Sequence, residues 1–462
     1  MKLYDTRMQQ LRDFQPIRPG QVGIYVCGPT VQSEPHIGHM RSALVYDLMA
    51  RWLKHSGFTV TLVRNVTDID DKVLEKAKEA NQDWWQLAYQ NEQIFRNDFL
   101  AIGIQDPSIE PRATGHIPQM LELIERLIAA GHAYRALDGS SDVYFDTASW
   151  SHYGELTNQS LEDMEGESAD PKKKNPQDFA LWKSSKLDEP ETASWKSPFG
   201  RGRPGWHIEC SAMSQHYLGD NFDIHGGGLD LRFPHHENEL AQSKASGAKF
   251  ANYWVHNGLV TIAGQKMSKS LGNYVTSKEL LALAEPKVIR YYLMTAHYRS
   301  ALDYQPSVLS EAEAALERLH GFLSRAEREL GVTQFANASP EAAPEDFVSE
   351  MNDDLNIPAA LAVIHDHVRK GNTYLDDQQY REANQVRNEV ITMLSVLGLA
   401  PSQWESNAEH QALGAAIELL IAEREKARAN KDFATADRIR DQLKASGIEL
   451  SDSAGGTHWS IS

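Results

Sequence analysis

Between Val22 and Val66 the chain runs strand, loop, helix, strand, and that order leaves few folds open. Val22 to Cys27 (VGIYVC) is a short apolar, β-branched run that reads as a buried strand. Gly28 and Pro29 open a loop. His36 to Ser56 carries apolar residues at helical spacing (Leu44, Val45, Leu48, Met49, Trp52, Leu53), and Gly57 is placed to stop the helix. Phe58 to Val66 is a second strand. Two strands joined by a helix make a βαβ unit, the seed of a doubly wound parallel sheet. At 462 residues the chain is too long for one such domain, so two to four are expected.

Residues 85–190 read mostly as helix with polar stretches, and look like an insertion. Strand signals return at Phe222 to His225 and Tyr253 to Ile262, where the sheet resumes. Beyond about residue 275 the pattern is almost wholly helical. Residues 331–345 (GVTQFANASPEAAPE) are a linker candidate, and the last helix pattern, Ala415 to Ala445, stops before Gly447 and a short tail. The net charge of −18 argues against wholesale binding to nucleic acid or anionic membrane, so any RNA contact must use a local patch. Arg424 to Lys444 supplies one, with seven Lys or Arg against four acids. No run of about 18 apolar residues exists, and the N-terminus has no secretory pattern. Only two cysteines are present, Cys27 and Cys210, too few and too far apart for a disulfide framework. A cytoplasmic protein with reduced thiols is expected.

Four motifs carry chemistry. His36-Ile37-Gly38-His39 sits where the first strand passes into its helix, at the carboxyl edge where doubly wound sheets bind ligands. A helix N-terminus there offers free N–H groups to phosphate, two histidines three apart share one side, and Gly38 lets a nucleotide approach. The job implied is charge stabilisation on an attacked triphosphate. The plainer reading is a pair of surface histidines. Lys266-Met267-Ser268-Lys269-Ser270 is a lysine-bracketed loop suited to clamping phosphate, or otherwise a solvated charged loop. Cys27, Cys210, His235 and Glu239 are all acceptable zinc ligands. Pro234 suits a helix start, which would place His235 and Glu239 at i and i+4 on one face. Each cysteine by itself reads as a small buried hydrophobe. His225-Gly226-Gly227-Gly228-Leu229-Asp230 puts glycines after a strand and then an acid. That suits a purine ribose, with Gly226 and Gly228 admitting the nucleotide and Asp230 accepting from its hydroxyls. A flexible turn is the alternative.

Taken together these residues resemble the cysteinyl-tRNA synthetases of the class I aminoacyl-tRNA synthetase family. The similarity takes in Cys27 to Val31, the HIGH signature at His36 to His39, and Asn65 to Lys72. It continues through Pro204 to Cys210, His225 to Glu239, and KMSKS at Lys266 to Ser270. The resemblance implies a Rossmann-like catalytic domain in two halves (1–105 and 196–275) around a connective, helical insertion (106–195). A helical stem-contact region (276–330), a helical bundle (346–400) and a small anticodon-binding domain (405–462) follow. It implies that cysteine attacks ATP to give cysteinyl-adenylate, which then passes to the terminal adenosine of tRNA(Cys). His36, His39, Lys266 and Lys269 are the implied catalytic groups, with Gly38 and Ser268 also on ATP. One zinc per chain is implied on Cys27, Cys210, His235 and Glu239, and Mg²⁺ with the ATP. Thr67 and Trp206, beside Cys27 and Cys210, match substrate-pocket positions, and Trp459 matches a tail position suited to stacking on a base. A monomer is expected.

The sequence departs from the family at Gln32-Ser33-Glu34-Pro35, which replaces a more aromatic or aliphatic spacer and puts the local loop conformation in question. The nearest rival reading is a cysteine ligase of mycothiol synthesis, which makes the same adenylate and passes it to an amino sugar. That family lacks the region corresponding to 405–462. A non-catalytic RNA-binding descendant is a rival of another class, disfavoured by intact HIGH and KMSKS motifs.

Overall fold

The computed structural model describes residues 1–160, 170–267, 272–331, 342–430, 432–453 and 456–461. They form two compact units, Met1–Leu399 and Ala400–Ser462.

In the first unit, strand β1 (Gln21–Val26) leads through the loop into helix α1 (Ile37–His55) and strand β2 (Thr59–Arg64). The helix bounds follow from local chemistry. His36 caps the start with its own ring, and Gly57 adopts φ 90°, a left-handed turn that side-chain-bearing residues avoid. The chain returns to this sheet much later. Helix α2 (Trp206–Leu218) precedes strand β3 (Asn221–Gly228), and helix α3 (Glu237–Ala245) precedes strand β4 (Phe250–Asn257). All neighbours pair in parallel, in the order β2-β1-β3-β4. The chain therefore leaves β1 in one direction for β2 and comes back on its other side as β3. That reversal opens a crevice at the carboxyl ends of β1 and β3, where such sheets take their ligands. Cys27 follows β1 directly, and Gly226–Gly228 form the carboxyl end of β3.

The insertion is not wholly helical. Residues Ala133–Arg135, Val143–Phe145, Phe179–Ser184 and Gly202–Pro204 pair into a four-stranded antiparallel sheet. Three of these strands are three residues long, too short to show alternation in the sequence, and Val143 finds its partner Trp182 only across a long loop.

Helices over Ser307–Leu330, Glu345–Asn352, Ile357–Asp376 and Tyr380–Leu397 complete this unit. Arg290, fully buried, ties it together. Its guanidinium reaches Asp47 of α1 (2.8 Å), the Ile102 carbonyl (3.1 Å) and the Leu397 carbonyl (2.9 Å). A buried cation so committed is costly to leave unpaired, which pins α1 against the bundle. The second unit packs two helices, Ser402–Ala429 and Phe433–Ala445, on a hairpin of Ile448–Ser453 and Gly456–Ile461. The sequence reads that hairpin as a tail. Trp459 lies in it, packed on Ile417, Ile421, Ile439, Leu443 and Ile448, and gives its indole N–H to Glu418 (3.0 Å). Its ring therefore packs against the core of the small domain and stays partly exposed. The expected linker falls largely outside the described residues. No helix among those described is long and apolar enough to cross a membrane.

Candidate active site

The four proposed metal ligands come from four places in the first unit and converge. Cys27 leaves β1, Cys210 lies in the second turn of α2, His235 sits just before α3, and Glu239 is in its first turn. Their ligand atoms all lie within 4.8 Å of one another, and every one is buried. The Cys27 thiol is 3.1 Å from Glu239 Oε1, and His235 Nε2 is 3.1 Å from the same oxygen. The local path to this geometry differs from the expectation at one point. Pro234 does not open the helix. Residues Arg232–His236 form a distorted wide turn with Phe233 extended and a cis Phe233–Pro234 bond, and α3 begins at Glu237. The i, i+4 relation of His235 and Glu239 survives because the turn runs straight on into the helix.

Neighbouring side chains set the orientation of these groups. His207 Nδ1 lies 2.9 Å from His235 Nδ1, so Nε2 is the nitrogen turned towards the carboxylate, and Trp206 stacks on the same ring at 4.2 Å. His225 Nε2 holds Glu239 Oε2 at 2.9 Å, leaving Oε1 for the cluster. Such outer contacts fix the direction of metal ligands. Burial pushes both thiols above the usual range, Cys27 helped further by Cys210, and burial holds His235 neutral, well below its usual value. Two sulfurs, an imidazole nitrogen and a carboxylate, dry and mutually close, fit the donor set of a four-coordinate zinc. A divalent ion must then displace both thiol protons. Zinc uptake at neutral pH is expected to release about two protons and to tighten as pH rises, because both thiols stay protonated there without metal. Titration calorimetry in buffers of different ionisation enthalpy measures the count; a release near zero would contradict the thiolate pair.

The HIGH histidines sit at the mouth of the same crevice. His36 is the N-cap of α1 and His39 its third residue. His36 Nδ1 accepts from Gly38 N–H (3.1 Å), His39 Nδ1 accepts from His36 N–H (3.2 Å), and the rings stack at 3.7 Å. With each Nδ1 an acceptor, the neutral ring carries its proton on Nε2. Gly38 leaves little room: an added Cβ would press on the His36 ring and lie 3.7 Å from the Met267 methyl. Met267 thus brings the second signature to the first. The chain beyond it does the same: Ile37 N–H donates to Val275 O (3.1 Å) and Ser277 N–H to Pro35 O (3.1 Å). Pro35, the last residue of the Gln32–Pro35 spacer, is therefore tied to the segment that follows KMSKS. The Lys266 side chain and residues Ser268, Lys269 and Ser270 lie outside the described residues.

The glycine segment is arranged differently from the expectation. His225 to Gly228 belong to β3 itself. A Cβ on Gly226 would enter the Tyr46 ring, whose hydroxyl donates to Val255 O (2.9 Å). Packing thus requires glycine at 226. Gly228 would collide with Asp230, which is exposed in the short turn beyond.

Thr67, Trp206 and the cysteines are brought together. Thr67 Oγ1 donates to Glu209 Oε2 (2.8 Å), Asn65 Nδ2 reaches Thr67 Oγ1 (3.3 Å), and Asn65 Oδ1 accepts from Gly28 N–H (2.9 Å). Trp206 is half-buried at the head of α2. The sequence reading passes over Asn65, His207, Glu209 and His225 as site residues. Only their positions beside quoted motif residues could have flagged them.

Three profiles of known families match the chain. A tRNA synthetase class I (C) catalytic domain covers residues 13–314, a DALR domain 346–401, and a cysteinyl-tRNA ligase anticodon binding domain 410–459. Cysteine–tRNA ligase from Leifsonia xyli subsp. xyli is 57% identical over 473 residues, covering 100% of this chain and 99% of that protein. The enzyme of the same name from Clavibacter michiganensis subsp. michiganensis is 57% identical over 479 residues with the same coverage. Among solved structures, Mycobacterium tuberculosis methionyl-tRNA synthetase with methionyl-adenylate superposes with a TM-score of 0.60 at 16% identity, over 83% of this chain and 91% of that one. That last likeness speaks for the fold alone.

Proposed function

The chain belongs to the cysteine–tRNA ligases, class I aminoacyl-tRNA synthetases, and from that premise we propose how its residues divide the work. Cys27, Cys210, His235 and Glu239 hold one zinc ion per chain beneath the substrate pocket. The observation that carries this is the convergence of four buried donors from distant segments, all within 4.8 Å. Zinc, when bound, favours a thiolate over an alcohol, and a shape pocket alone separates such near-isosteres poorly. Serine is thereby refused by chemistry, which makes a separate editing site unnecessary. Thr67 and Trp206 line the cysteine pocket above the metal.

His36 and His39 present Nε2–H donors to the phosphates of ATP, at the positive end of the α1 dipole. Lys266, Ser268 and Lys269 close on the same phosphates, and Mg²⁺ accompanies the nucleotide. Gly38, Gly226, Gly228 and Asp230 border the adenosine, Gly226 through its backbone. Proximity then does much of the rest, since the cysteine carboxylate and the α-phosphorus are held in one crevice. The catalytic halves are 1–105 and 196–275 and the connective insertion is 106–195. Residues 276–330 meet the acceptor stem, 346–400 form the supporting bundle, and 405–462 read the anticodon with the basic stretch Arg424–Lys444. The protein acts as a cytoplasmic monomer.

The rival acceptor, an amino sugar, is disfavoured by the anticodon-binding match at residues 410–459. A tRNA(Cys) charging assay beside cysteine-dependent ATP–pyrophosphate exchange tests the choice. Both activities are expected; exchange with no charging would overturn it.

A further inference from the structure

Arg41 lies two residues past His39 on α1, wholly buried, and nothing in the chemistry above uses it. Its guanidinium donates to four main-chain carbonyls. Nη1 reaches Gly258 O (3.2 Å) and Leu259 O (2.9 Å), and Nη2 reaches His297 O (3.1 Å) and Ser300 O (2.6 Å). Burial lowers its pKa to about 10, so the group is still a cation at neutral pH. A buried cation is expensive to keep, and this one is kept where four oxygens converge. The convergence is close: a Cβ on Gly258 would lie 2.3 Å from Ser300 O, so glycine is required there. A planar fork spans two pairs of carbonyls, whereas a lysine ammonium is a single point and cannot.

These carbonyls belong to the two segments that build the approach to KMSKS. Gly258 and Leu259 follow β4 and lead into a strand, Val260–Ile262. His297 and Ser300 lie just before the strand Leu302–Tyr304, which pairs with it in parallel. Val260–Ile262 then folds back on Gln265–Lys266, with Thr261 opposite Lys266, the first residue of the signature. The turn between them is tight, and Ala263 and Gly264 both take left-handed φ, 50° and 76°. Alanine is disfavoured there, so the turn needs an outside hold. Asp303 supplies it. Its Oδ1 accepts from Gly264 N–H (2.6 Å) and from Thr261 Oγ1 (2.7 Å). A continuous path thus runs from α1 through Arg41 to Ser300, along the chain to Asp303, and across to the turn that opens into Lys266. Ser42 adds a second tie, its hydroxyl 2.9 Å from Asn257 Oδ1 at the end of β4.

We propose that Arg41 and Asp303 are positioning residues for adenylate formation, setting the hairpin that carries Lys266 against the HIGH end of α1. The proposal rests on the phosphate role given to Lys266 above, and it adds the groups that put this lysine in register with His36 and His39.

A double-mutant cycle on cysteine-dependent ATP–pyrophosphate exchange by the zinc-loaded, full-length protein tests it. Asp303→Ala and Arg41→Lys are each expected to lower kcat about ten- to a hundred-fold, the cost of a reacting group held about 1 Å out of place. The KM for cysteine should stay within about two-fold, with zinc content unchanged. Asp303→Asn, which keeps the accepting oxygen, should recover most of the loss. In a Lys266→Ala background neither change should lower kcat by more than about two-fold further, because the group they place is already gone. Asp303 is partly exposed, so its variants decide the matter even where Arg41→Lys folds poorly. Additive losses in the cycle overturn the proposal alone. So does an Asp303→Asn variant no better than Asp303→Ala, or an Asp303→Ala variant that loses zinc and binds cysteine weakly, since a general loosening of the fold produces that. Full exchange activity in Lys266→Ala overturns the phosphate role of Lys266 itself, and the proposal with it.

Discussion

Cys210→Ser is expected to leave the protein folded and nearly free of zinc, and to lower cysteine-dependent ATP–pyrophosphate exchange by about a thousand-fold, or about 4 kcal/mol. The change swaps sulfur for oxygen at a fully buried position on α2, so it creates no cavity of consequence. What it removes is one of the two thiolate donors proposed for the zinc. An alcohol at that position is a poor zinc ligand at neutral pH, and Cys27, His235 and Glu239 alone make an incomplete set. Metal analysis after dialysis, beside circular dichroism, reads the two effects separately. Zinc retained at one per chain in a variant that has lost exchange would show that the cysteine serves the substrate by some route other than the metal. ATP affinity should hardly move, because the HIGH histidines owe their positions to α1 and to residues 274–277.

How far the sequence led to these residues depends on how local each signal is. Helix α1 is legible end to end. Its apolar spacing, its capping histidine and Gly57 all act within a few residues of the boundary they define. The short strands of the insertion are not, because Val143–Phe145 has no pattern of its own and is held in the sheet by Phe179 to Trp182. The proposed metal set shows the same division. His235 and Glu239 announce themselves by spacing, even though the turn before α3 is not the helix start that Pro234 suggests. Cys27 and Cys210 have no local signal of kinship, and only the sheet reversal between β1 and β3 brings them together. The orientation of side chains is less legible still. That His225 holds Glu239, or that Gly226 is glycine to make room for Tyr46, depends on which way a strand residue faces. Glu209 is the extreme case: it lies inside the quoted stretch Gly205 to Cys210, yet its partner Thr67 comes from a segment after β2.

His39→Asn should give the opposite pattern from Cys210→Ser. His39 accepts the His36 N–H through Nδ1, and its ring lies against His36 at 3.7 Å. Asparagine can keep an acceptor at this third helical position, so the stability cost should stay near that of a weakened cap, about 1 kcal/mol. The ring and its Nε2–H are lost. On the proposed phosphate role, that donor is fixed before ATP arrives, by the cap on one side and the stack on the other, so no free energy would be spent orienting it as charge builds on the phosphates. Removing one preorganised donor of this kind costs about 10²- to 10³-fold in kcat, or roughly 3–4 kcal/mol. Exchange kinetics should show that fall with the KM for cysteine within about two-fold and zinc content unchanged, since an interaction made mainly in the transition state leaves ground-state binding alone. A variant whose KM for cysteine rises while metal content falls together with kcat would mean that His39 holds the crevice in shape, and the phosphate role would then have to pass to His36 alone.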